Sequence, residues 1–272
     1  MNTQDIFVVN ISDMHSGGTT ALFPDHPMDF DFNGKFEVNH TPTQDQVQMY
    51  KHWIQSADTV KRMAKGKRMI VVHNGDALEG AHHGSVQSIT QNPSHQSKIH
   101  IELFETFLKR SGHSKKNGDE LHYTSGTESH TNWNEYGLAQ HFSHLDPQFH
   151  DEMQIERNGR RLWWTHHGGG AGKGANEGNA YRNWLRDIYF DCLKSGVRAP
   201  DVIVTAHFHK CIYQPYSDSF RHTIHGMILP SWQMKTRYAY KVAPFQRNDI
   251  GLVVYEISKD GDIRIHPPML MS

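Results

Sequence analysis

The chain has 272 residues, of which 36% are hydrophobic and 21% charged, a composition typical of a globular protein with one substantial core. Lysine and arginine (28) nearly balance aspartate and glutamate (29), so the net charge indicates no general attraction to nucleic acid or anionic lipid. The sequence has neither a membrane-spanning apolar run nor a secretory signal at its start, so we expect a single cytoplasmic domain over residues 1–272 with no membrane partner.

Histidine is unusually frequent, with 22 residues, and it is the commonest side-chain ligand of metal ions. The two cysteines, Cys192 and Cys211, have neither a zinc-type nor a redox-type spacing. The positions of the histidines therefore decide whether the sequence predicts a metal site.

Five short apolar runs predict buried strands, and each is followed by a polar cluster. They are Ile6–Ile11, Arg68–His73, Leu121–Thr124, Arg161–Thr165 and Asp201–Thr205. Apolar residues at three- and four-residue spacing predict four helices between them. These are Thr43–Lys65, Ser94–Arg110, Asn134–Phe142 and Asn176–Leu193. The alternation indicates a layered α/β fold with reactive groups on loops at the carboxyl ends of the strands.

Turn signals in the second half of the chain indicate two antiparallel hairpins. One turns at Asn158 and Gly159, and the other joins Leu252–Ile257 to residues 263–266. The stretch Ser16–His40 has no clear periodicity, and we expect it to form a loop over the site.

Two pairs of possible metal ligands have the same spacing. Asp13 and His15 are two residues apart, so on an extended chain their side chains point the same way and can hold one cation. His207 and His209 repeat this spacing directly after a predicted strand, although a pair of surface histidines would look the same.

Further candidates follow the second and fourth predicted strands. Gly75 allows a sharp turn before Asp76, whose two oxygens can bridge two metals; a helix-capping aspartate is the alternative. His166 and His167 precede three glycines, which leave room for the close approach of a ligand.

Taken in order, these segments resemble the calcineurin-like metallophosphoesterase family, whose pattern is Asp-x-His, Gly-Asp, Gly-Asn-His-Glu/Asp, a lone His and Gly-His-x-His. The resemblance covers the chain from Asp13 to His209. It implies a layered β-sandwich flanked by helices, with a dinuclear metal site at the carboxyl ends of the strands. It also implies that Asp76 bridges the two metals. The other implied ligands are Asp13, His15 and His209 for one metal, and His207 with His166, or alternatively His167, for the other.

The third motif departs from the family pattern. Residues 126–130 read Gly-Thr-Glu-Ser-His, so the usual asparagine ligand is missing and the histidine comes later. Thr127 or Glu128 could supply the missing oxygen ligand. The variant is similar to phage and bacterial members with Gly-Thr-x-x-His. Together with Asp76, His130 is the candidate catalytic residue, as general acid or phosphate contact.

The resemblance implies hydrolysis of a phosphomonoester or phosphodiester by a water activated between two divalent transition-metal ions. Mn is the preferred metal, with Fe, Zn or Ni as alternatives. The expected partner is a phosphorylated substrate: a small nucleotide, a phosphoprotein or nucleic acid. A nuclease and a metal-binding scaffold with weakened catalysis are the alternative functions, and the oligomeric state is left open. Trp232 and Tyr238, in a polar segment, are candidates for substrate contact.

Overall fold

The computed structural model describes residues 4–31, 37–80, 87–128, 134–218, 222–242 and 246–272. Within them the chain forms a layered mixed α/β fold, in which two large sheets lie between helices. This confirms the predicted α/β class and the sandwich flanked by helices.

The first sheet has seven strands, with a central parallel part and an antiparallel edge. Its strands are β1 (Ile6–Ile11), β4 (Arg68–Asn74), β5 (Glu120–Thr124), β6 (Gln148–His150), β12 (Gly251–Ile257), β13 (Ile263–Ile265) and β14 (Met269–Leu270). The order is β13-β12-β1-β4-β5-β6, and β14 also pairs with β12. Because β1, β4, β5 and β6 are parallel, their carboxyl ends lie at one edge of the sheet.

The second sheet has five strands in the order β10-β11-β9-β8-β7. They are β7 (Met153–Arg157), β8 (Arg160–Trp164), β9 (Val202–Thr205), β10 (Ile212–Ser217) and β11 (Thr223–Ile228). β8, β9 and β11 are parallel, with antiparallel strands at both edges. Both predicted hairpins are confirmed, as β7–β8 and β12–β13.

Four of the helices match the predictions within a few residues. The helices are α1 (Gln44–Met63), α2 (Pro93–Ser111), α3 (Asn134–His141), α4 (Asn179–Lys194) and the short α5 (Arg237–Val242). α1 begins at a capping box, in which Thr43 accepts a hydrogen bond from the Gln46 amide and the Gln46 side chain accepts one from the Thr43 amide. α4 begins later than predicted because residues 174–176 form a 3₁₀ turn and Gly178 has a left-handed φ of 82°.

Three buried clusters hold the layers together. Trp53 of α1 and Phe107 of α2 pack on the outer face of the first sheet. Between the sheets, Val8 and Tyr255 share a core with Trp164, whose indole donates a 2.7 Å hydrogen bond to Asn10. α4 covers the outer face of the second sheet through a third apolar cluster. Among the described helices, none combines the length and apolar character needed to span a membrane.

The stretch Ser16–His40 differs from the predicted loop. It contains a hairpin of β2 (Met28–Asp31) and β3 (Glu37–His40). Phe30 of β2 is fully buried and stacks on His95 of α2, with 5.3 Å between ring centroids. The hairpin therefore covers the amino-terminal end of α2.

Candidate metal centre

The candidate ligands lie in turns with an unusual backbone. Asp13, His15, Asp76, His207 and His209 have φ angles of 50°, 44°, 51°, 72° and 52°. Among the described residues, seven non-glycine residues have positive φ, and these are five of them. Such conformations cost about 1–3 kcal/mol each, and they persist where the surrounding structure imposes them, which is common at functional sites.

Two glycines let neighbouring turns approach closely at this site. A Cβ atom on Gly75 would lie 2.4 Å from Nδ1 of His166. A Cβ atom on Gly126 would lie 2.2 Å from the amide nitrogen of Asp76. Both distances are too short for any side chain, so the glycines of the second and third motifs have a steric role.

The first group of convergent ligand atoms comprises Asp13, His15 and His209. The two Nε2 atoms of His15 and His209 are 3.2 Å apart. Oδ1 of Asp13 lies 3.2 Å from Nε2 of His209 and 3.8 Å from Nε2 of His15. Asp13 and His15 are buried, whereas His209 is partly exposed. These three atoms can reach one cation.

Two further groups continue from the first. Asp13, Asp76 and His166 form the second, with 3.1 Å between Nε2 of His166 and Oδ2 of Asp76. His166, His167 and His207 form the third, whose last two members are exposed. The site therefore extends from a buried end at Asp13 to an open end at His167 and His207.

The residues fit a cation by burial and by donor chemistry. Oδ1 of Asp13 and Nε2 of His166 are buried atoms without a well-oriented hydrogen bond to any described residue. Nδ1 of His166 donates a 2.7 Å hydrogen bond to the carbonyl of Asn74, which directs Nε2 into the cluster. A bound metal ion would satisfy such atoms, because it accepts a lone pair from the imidazole nitrogen and compensates the charge of the carboxylate.

At two buried histidines of the cluster, nearby carboxylates raise the pKa, whereas burial alone would lower it. Burial alone would lower the pKa of His15, but Asp13 and Glu79 raise it to about 10. Burial is likewise outweighed at His166, where Asp76 raises the pKa to about 9. Burial and the neighbouring histidines lower the pKa of His207 to about 4. Without metal, the protons on His15 and His166 therefore balance the carboxylates.

The pKa values of the two carboxyl groups are shifted in the opposite direction. Burial would raise them, but nearby imidazoles dominate. His209 holds the pKa of Asp13 well below its usual range, and His166 does the same for Asp76. Both side chains are therefore charged at neutral pH.

Supporting residues hold the ligands in place, and sequence reasoning assigned no role to them. Glu79 is buried and lies 3.5 Å from Nδ1 of His15, and it accepts a 2.7 Å hydrogen bond from Gln233. The side-chain nitrogen Nδ2 of Asn248 lies 2.9 Å from Nδ1 of His209. The position of Glu79 just after Asp76 could have indicated a supporting role from the sequence. No sequence pattern indicates such a role for Asn248, because its position depends on the tertiary fold.

Thr127 and Glu128, the two candidates in the third motif, differ in position. The amide of Thr127 donates a 2.6 Å hydrogen bond to Oδ1 of Asp76, and its hydroxyl lies 3.2 Å from Oδ2 of Asp76 and 3.3 Å from Nδ1 of His207. Glu128 is exposed and belongs to none of the three ligand groups. His130 lies outside the described residues.

The expectation that Trp232 contacts substrate is wrong. Its side chain is fully buried and meets Trp53 edge to face, with 4.6 Å between ring centroids. The backbone of Trp232 nevertheless adjoins the site, since its amide donates to the carbonyl of Asp13 at 3.0 Å. The side chain of Tyr238 lies outside the described part of the chain.

No protein-family model and no curated protein matches the sequence. Among solved structures, an archaeal phosphodiesterase is 10% identical, with a TM-score of 0.45. The alignment covers 97% of this chain and 99% of the phosphodiesterase. The NAD nucleotidase of Haemophilus influenzae is 11% identical over 97% of this chain and 49% of its own, with a TM-score of 0.44. A Streptococcus pneumoniae protein described as a predicted phosphoesterase is 9% identical over 97% and 94%, with a TM-score of 0.36. Similarity at this level carries no inference about the chemistry of this chain.

Proposed function

We propose that this chain is a metal-dependent phosphoesterase of the calcineurin-like type, which hydrolyses phosphomonoester or phosphodiester bonds at two divalent transition-metal ions. The observation that carries the proposal is the overlap of the three groups: the one that contains Asp76 shares Asp13 with the buried group and His166 with the open group. Shared ligands are typical of two neighbouring cations. The proposal includes a single domain over residues 1–272 that acts in the cytoplasm.

Asp76 is the bridging ligand in this proposal. Its Oδ2 atom lies 3.1 Å from Nε2 of His166 and 4.0 Å from Nε2 of His15, between the two ends of the cluster. The ligands of the buried metal are Asp13, His15 and His209, and those of the open metal are His166, His207 and the hydroxyl of Thr127. The burial of His166 and its contact with Asp76 favour it over the exposed His167.

When bound, the two cations would lower the pKa of a water molecule and neutralise the negative charge that develops on phosphate. Asp13 and Asp76 supply the charge that holds the cations. His167 and His207 border the open end, where a phosphate group can enter. His130 protonates the leaving oxygen, for which an imidazole with an ordinary pKa of about 6.5 is well suited at neutral pH.

The mixed nitrogen and oxygen donors bear on the choice of metal. Imidazole suits Fe, Ni and Zn, and carboxylate suits Mn, whereas Mg keeps a shell of oxygen ligands and waters. Mn is the metal we propose, and Fe, Zn and Ni are the alternatives to test.

The test combines metal analysis with two chromogenic substrates. Protein stripped with a chelator and reloaded with Mn, Fe, Zn or Ni is assayed on 4-nitrophenyl phosphate and bis(4-nitrophenyl) phosphate. We expect two ions per chain by elemental analysis and turnover with at least one substrate. Asp76→Asn should abolish activity and reduce the metal content, because the bridging charge is lost from both sites.

A matched control is Asp187→Asn, an exposed carboxylate on α4, which should retain full activity and both ions. Activity of Asp76→Asn within a few-fold of the parent protein would contradict the bridging role. Two bound ions with no turnover on any phosphate ester would favour the alternative of a metal-binding scaffold.

A further inference from the structure

A basic segment of the chain lies beside the candidate metal centre. This basic segment comprises residues 234–242 and 246–247, which contain Lys235, Arg237, Lys241 and Arg247 and no acidic residue. Arg237, Lys241 and Arg247 are exposed. The chain as a whole is nearly neutral, with 28 basic and 29 acidic residues, so this concentration of positive charge is local.

Both ends of the basic segment are attached to the metal centre. At its start, the side chain of Gln233 donates a 2.7 Å hydrogen bond to Glu79, which lies against His15. At its end, the side-chain nitrogen Nδ2 of Asn248 lies 2.9 Å from Nδ1 of His209 and 2.9 Å from the backbone carbonyl of Gln233. The residues that flank the basic segment on both sides, Gln233 and Asn248, therefore contact the site.

The basic segment also presents an exposed aromatic side chain. Tyr240 is 58% exposed, and the ammonium of Lys235 lies 4.4 Å from the centroid of its ring. Cationic side chains with exposed aromatic rings among them are the usual means of binding single-stranded nucleic acid without reading its sequence.

A small cavity also opens next to the proposed ligands. Phe208, which lies between His207 and His209, is 37% exposed and lines this cavity of about 190 Å³. The other lining residues are Gly170, Ala171, Gly172, Lys173, Lys210 and Gln246. Lys210 lies 3.7 Å from Glu177, whereas Lys173 is on an exposed turn. An aromatic face, two ammonium groups and the end of the basic segment thus meet beside the metal centre.

We propose that the substrate is single-stranded nucleic acid, whose phosphodiester is cleaved at this site; this inference rests on the proposed phosphoesterase function. One unpaired base stacks on Phe208, Lys173 and Lys210 balance an adjacent phosphate, and the basic segment binds the phosphates that follow. The oxygen of water forms a bond to phosphorus, the bond from phosphorus to one sugar oxygen breaks, and that oxygen takes a proton. The proton released by the attacking water replaces the one that the general acid gives up, so the products are one phosphate end and one hydroxyl end.

The cavity beside Phe208 and the length of the basic segment favour single-stranded nucleic acid over a duplex, a mononucleotide or a phosphoprotein. The cavity beside Phe208 offers an exposed aromatic face to an unpaired base, a contact that the stacked base pairs of a duplex do not make. A mononucleotide would leave the four cations of the basic segment without phosphates. A phosphoprotein would not require an aromatic face beside the metal ligands, whereas stacking on such a face is a general contact of unpaired bases.

The first test measures the contribution of the basic segment. Lys235, Arg237, Lys241 and Arg247 are all changed to Gln, and the control changes Lys61, Lys65, Lys109 and Lys116 to Gln. The control lysines are exposed and lie near the amino ends of β4 and β5, opposite the metal centre. The probes are labelled oligothymidylate and oligouridylate of about 12 nucleotides, a length within the usual range of single-strand sites.

Cleavage and fluorescence anisotropy are measured over a range of salt concentrations, with bis(4-nitrophenyl) phosphate as the small reference substrate. The basic-segment variant should raise the Kd and KM for the oligonucleotides by about 10-fold or more, and by more than for the reference substrate. The slope of log Kd against log salt should fall by about 0.7 for each lost phosphate contact. The control variant should stay within about two-fold on every probe. The two oligonucleotides distinguish DNA from RNA as the source of the strand.

The second test concerns stacking. Phe208→Leu should weaken oligonucleotide binding by about 5- to 100-fold, whereas Phe208→Tyr, which keeps the ring, should restore it. Equal effects of both substitutions would remove the stacking role. Tighter binding of a duplex or a phosphopeptide than of the single strands would overturn the inference, as would equal effects of the basic-segment and control variants. If the chain still hydrolyses bis(4-nitrophenyl) phosphate in those cases, the proposed phosphoesterase function stands. Failure on every ester with intact oligonucleotide binding would remove the phosphoesterase function and the cleavage step, and it would leave only the binding of single strands.

Discussion

Glu79 lies 3.5 Å from Nδ1 of His15, on the side of the imidazole away from His209 and Asp13. A carboxylate in this position sets the orientation of the ring and increases the basicity of the other nitrogen, which is the one that faces the cluster. Glu79 is buried, and its second partner, Gln233, fixes the carboxylate in turn. A loop carboxylate that is itself held by Gln233 therefore contacts the ring of a proposed ligand directly.

We expect Glu79→Gln to weaken metal binding about 10- to 100-fold, since loss of an outer carboxylate typically has this effect. Titration of the stripped protein with Mn in competition with a metal indicator measures the affinity. Glu105→Gln, an exposed glutamate on α2, is the control and should leave the affinity unchanged. Unaltered affinity in Glu79→Gln, with the fold intact by circular dichroism, would show that Glu79 has no positioning role.

Metal binding should release protons at neutral pH. In the metal-free protein, the pKa values of about 10 for His15 and about 9 for His166 keep both imidazoles protonated at pH 7.5. A metal binds only the neutral ring, so loading should release about two protons per chain, and affinity should rise with pH until it passes these values. Calorimetric titrations in buffers with different ionisation enthalpies measure the protons released.

The same pKa shifts determine how pH affects the metal-free fold. Because both folded-state values are raised, the stabilisation from the two protonated rings is complete below about pH 6.5 and is lost as the pH rises through about 9 to 10. If the calorimetric titrations showed almost no proton release on metal loading, His15 and His166 would not be protonated in the metal-free protein, and this pH dependence would not follow.

The third motif can be tested through Thr127. Thr127→Val keeps the shape but removes the hydroxyl, so we expect weaker binding of the open metal and a similar loss on all phosphate esters. Thr127→Ser should retain most activity because the oxygen remains, and Glu128→Gln should have little effect because that side chain is exposed. Metal content and turnover are measured for the three variants together. A large loss in Glu128→Gln alone would assign the ligand to Glu128.

His130→Ala separates a general acid from a metal ligand. As the general acid, His130 contributes about 10²–10⁴-fold on substrates with poor leaving groups, so its removal should slow an alkyl phosphate ester by that factor. A 4-nitrophenyl ester, whose leaving group needs no proton, should be affected little, and the metal content should stay at two. Equal losses on both esters together with loss of metal would show that His130 is a ligand.

Local signals explain which parts of the fold could be predicted from the sequence. The strands that lead into Asp13, Asp76 and His207 are short apolar runs, and their buried residues confirm that reading. The edge strand β10 was not predicted, because Pro215 in its middle argues against a strand and is tolerated only at an edge. The hairpin at Met28–Asp31 was missed because an alternation of four residues is too short to separate from a loop.

The site shows a similar division between local and tertiary information. The i, i+2 spacing singled out Asp13, His15, His207 and His209, which the fold brings within reach of Asp76 and His166. The expected extended backbone at these pairs is wrong, because all four residues lie in turns with positive φ. Trp232 was misjudged because its polar neighbours in sequence conceal its packing against Trp53. The role of Asn248 depends on how the chain returns after α5, and no local pattern encodes that return.

The proposed metal ligands come from both sheets: Asp13 and Asp76 follow β1 and β4, whereas His166 and His209 follow β8 and β9. The site therefore exists only after the two sheets have docked, and it joins residues nearly two hundred positions apart in the chain. Contacts of such long range form late in folding, since the entropy of closing the intervening loops must first be overcome. We expect bound metal to slow unfolding far more than it speeds refolding. Residues of both sheets hold the metal, so it stabilises contacts that form late in folding and must break early in unfolding.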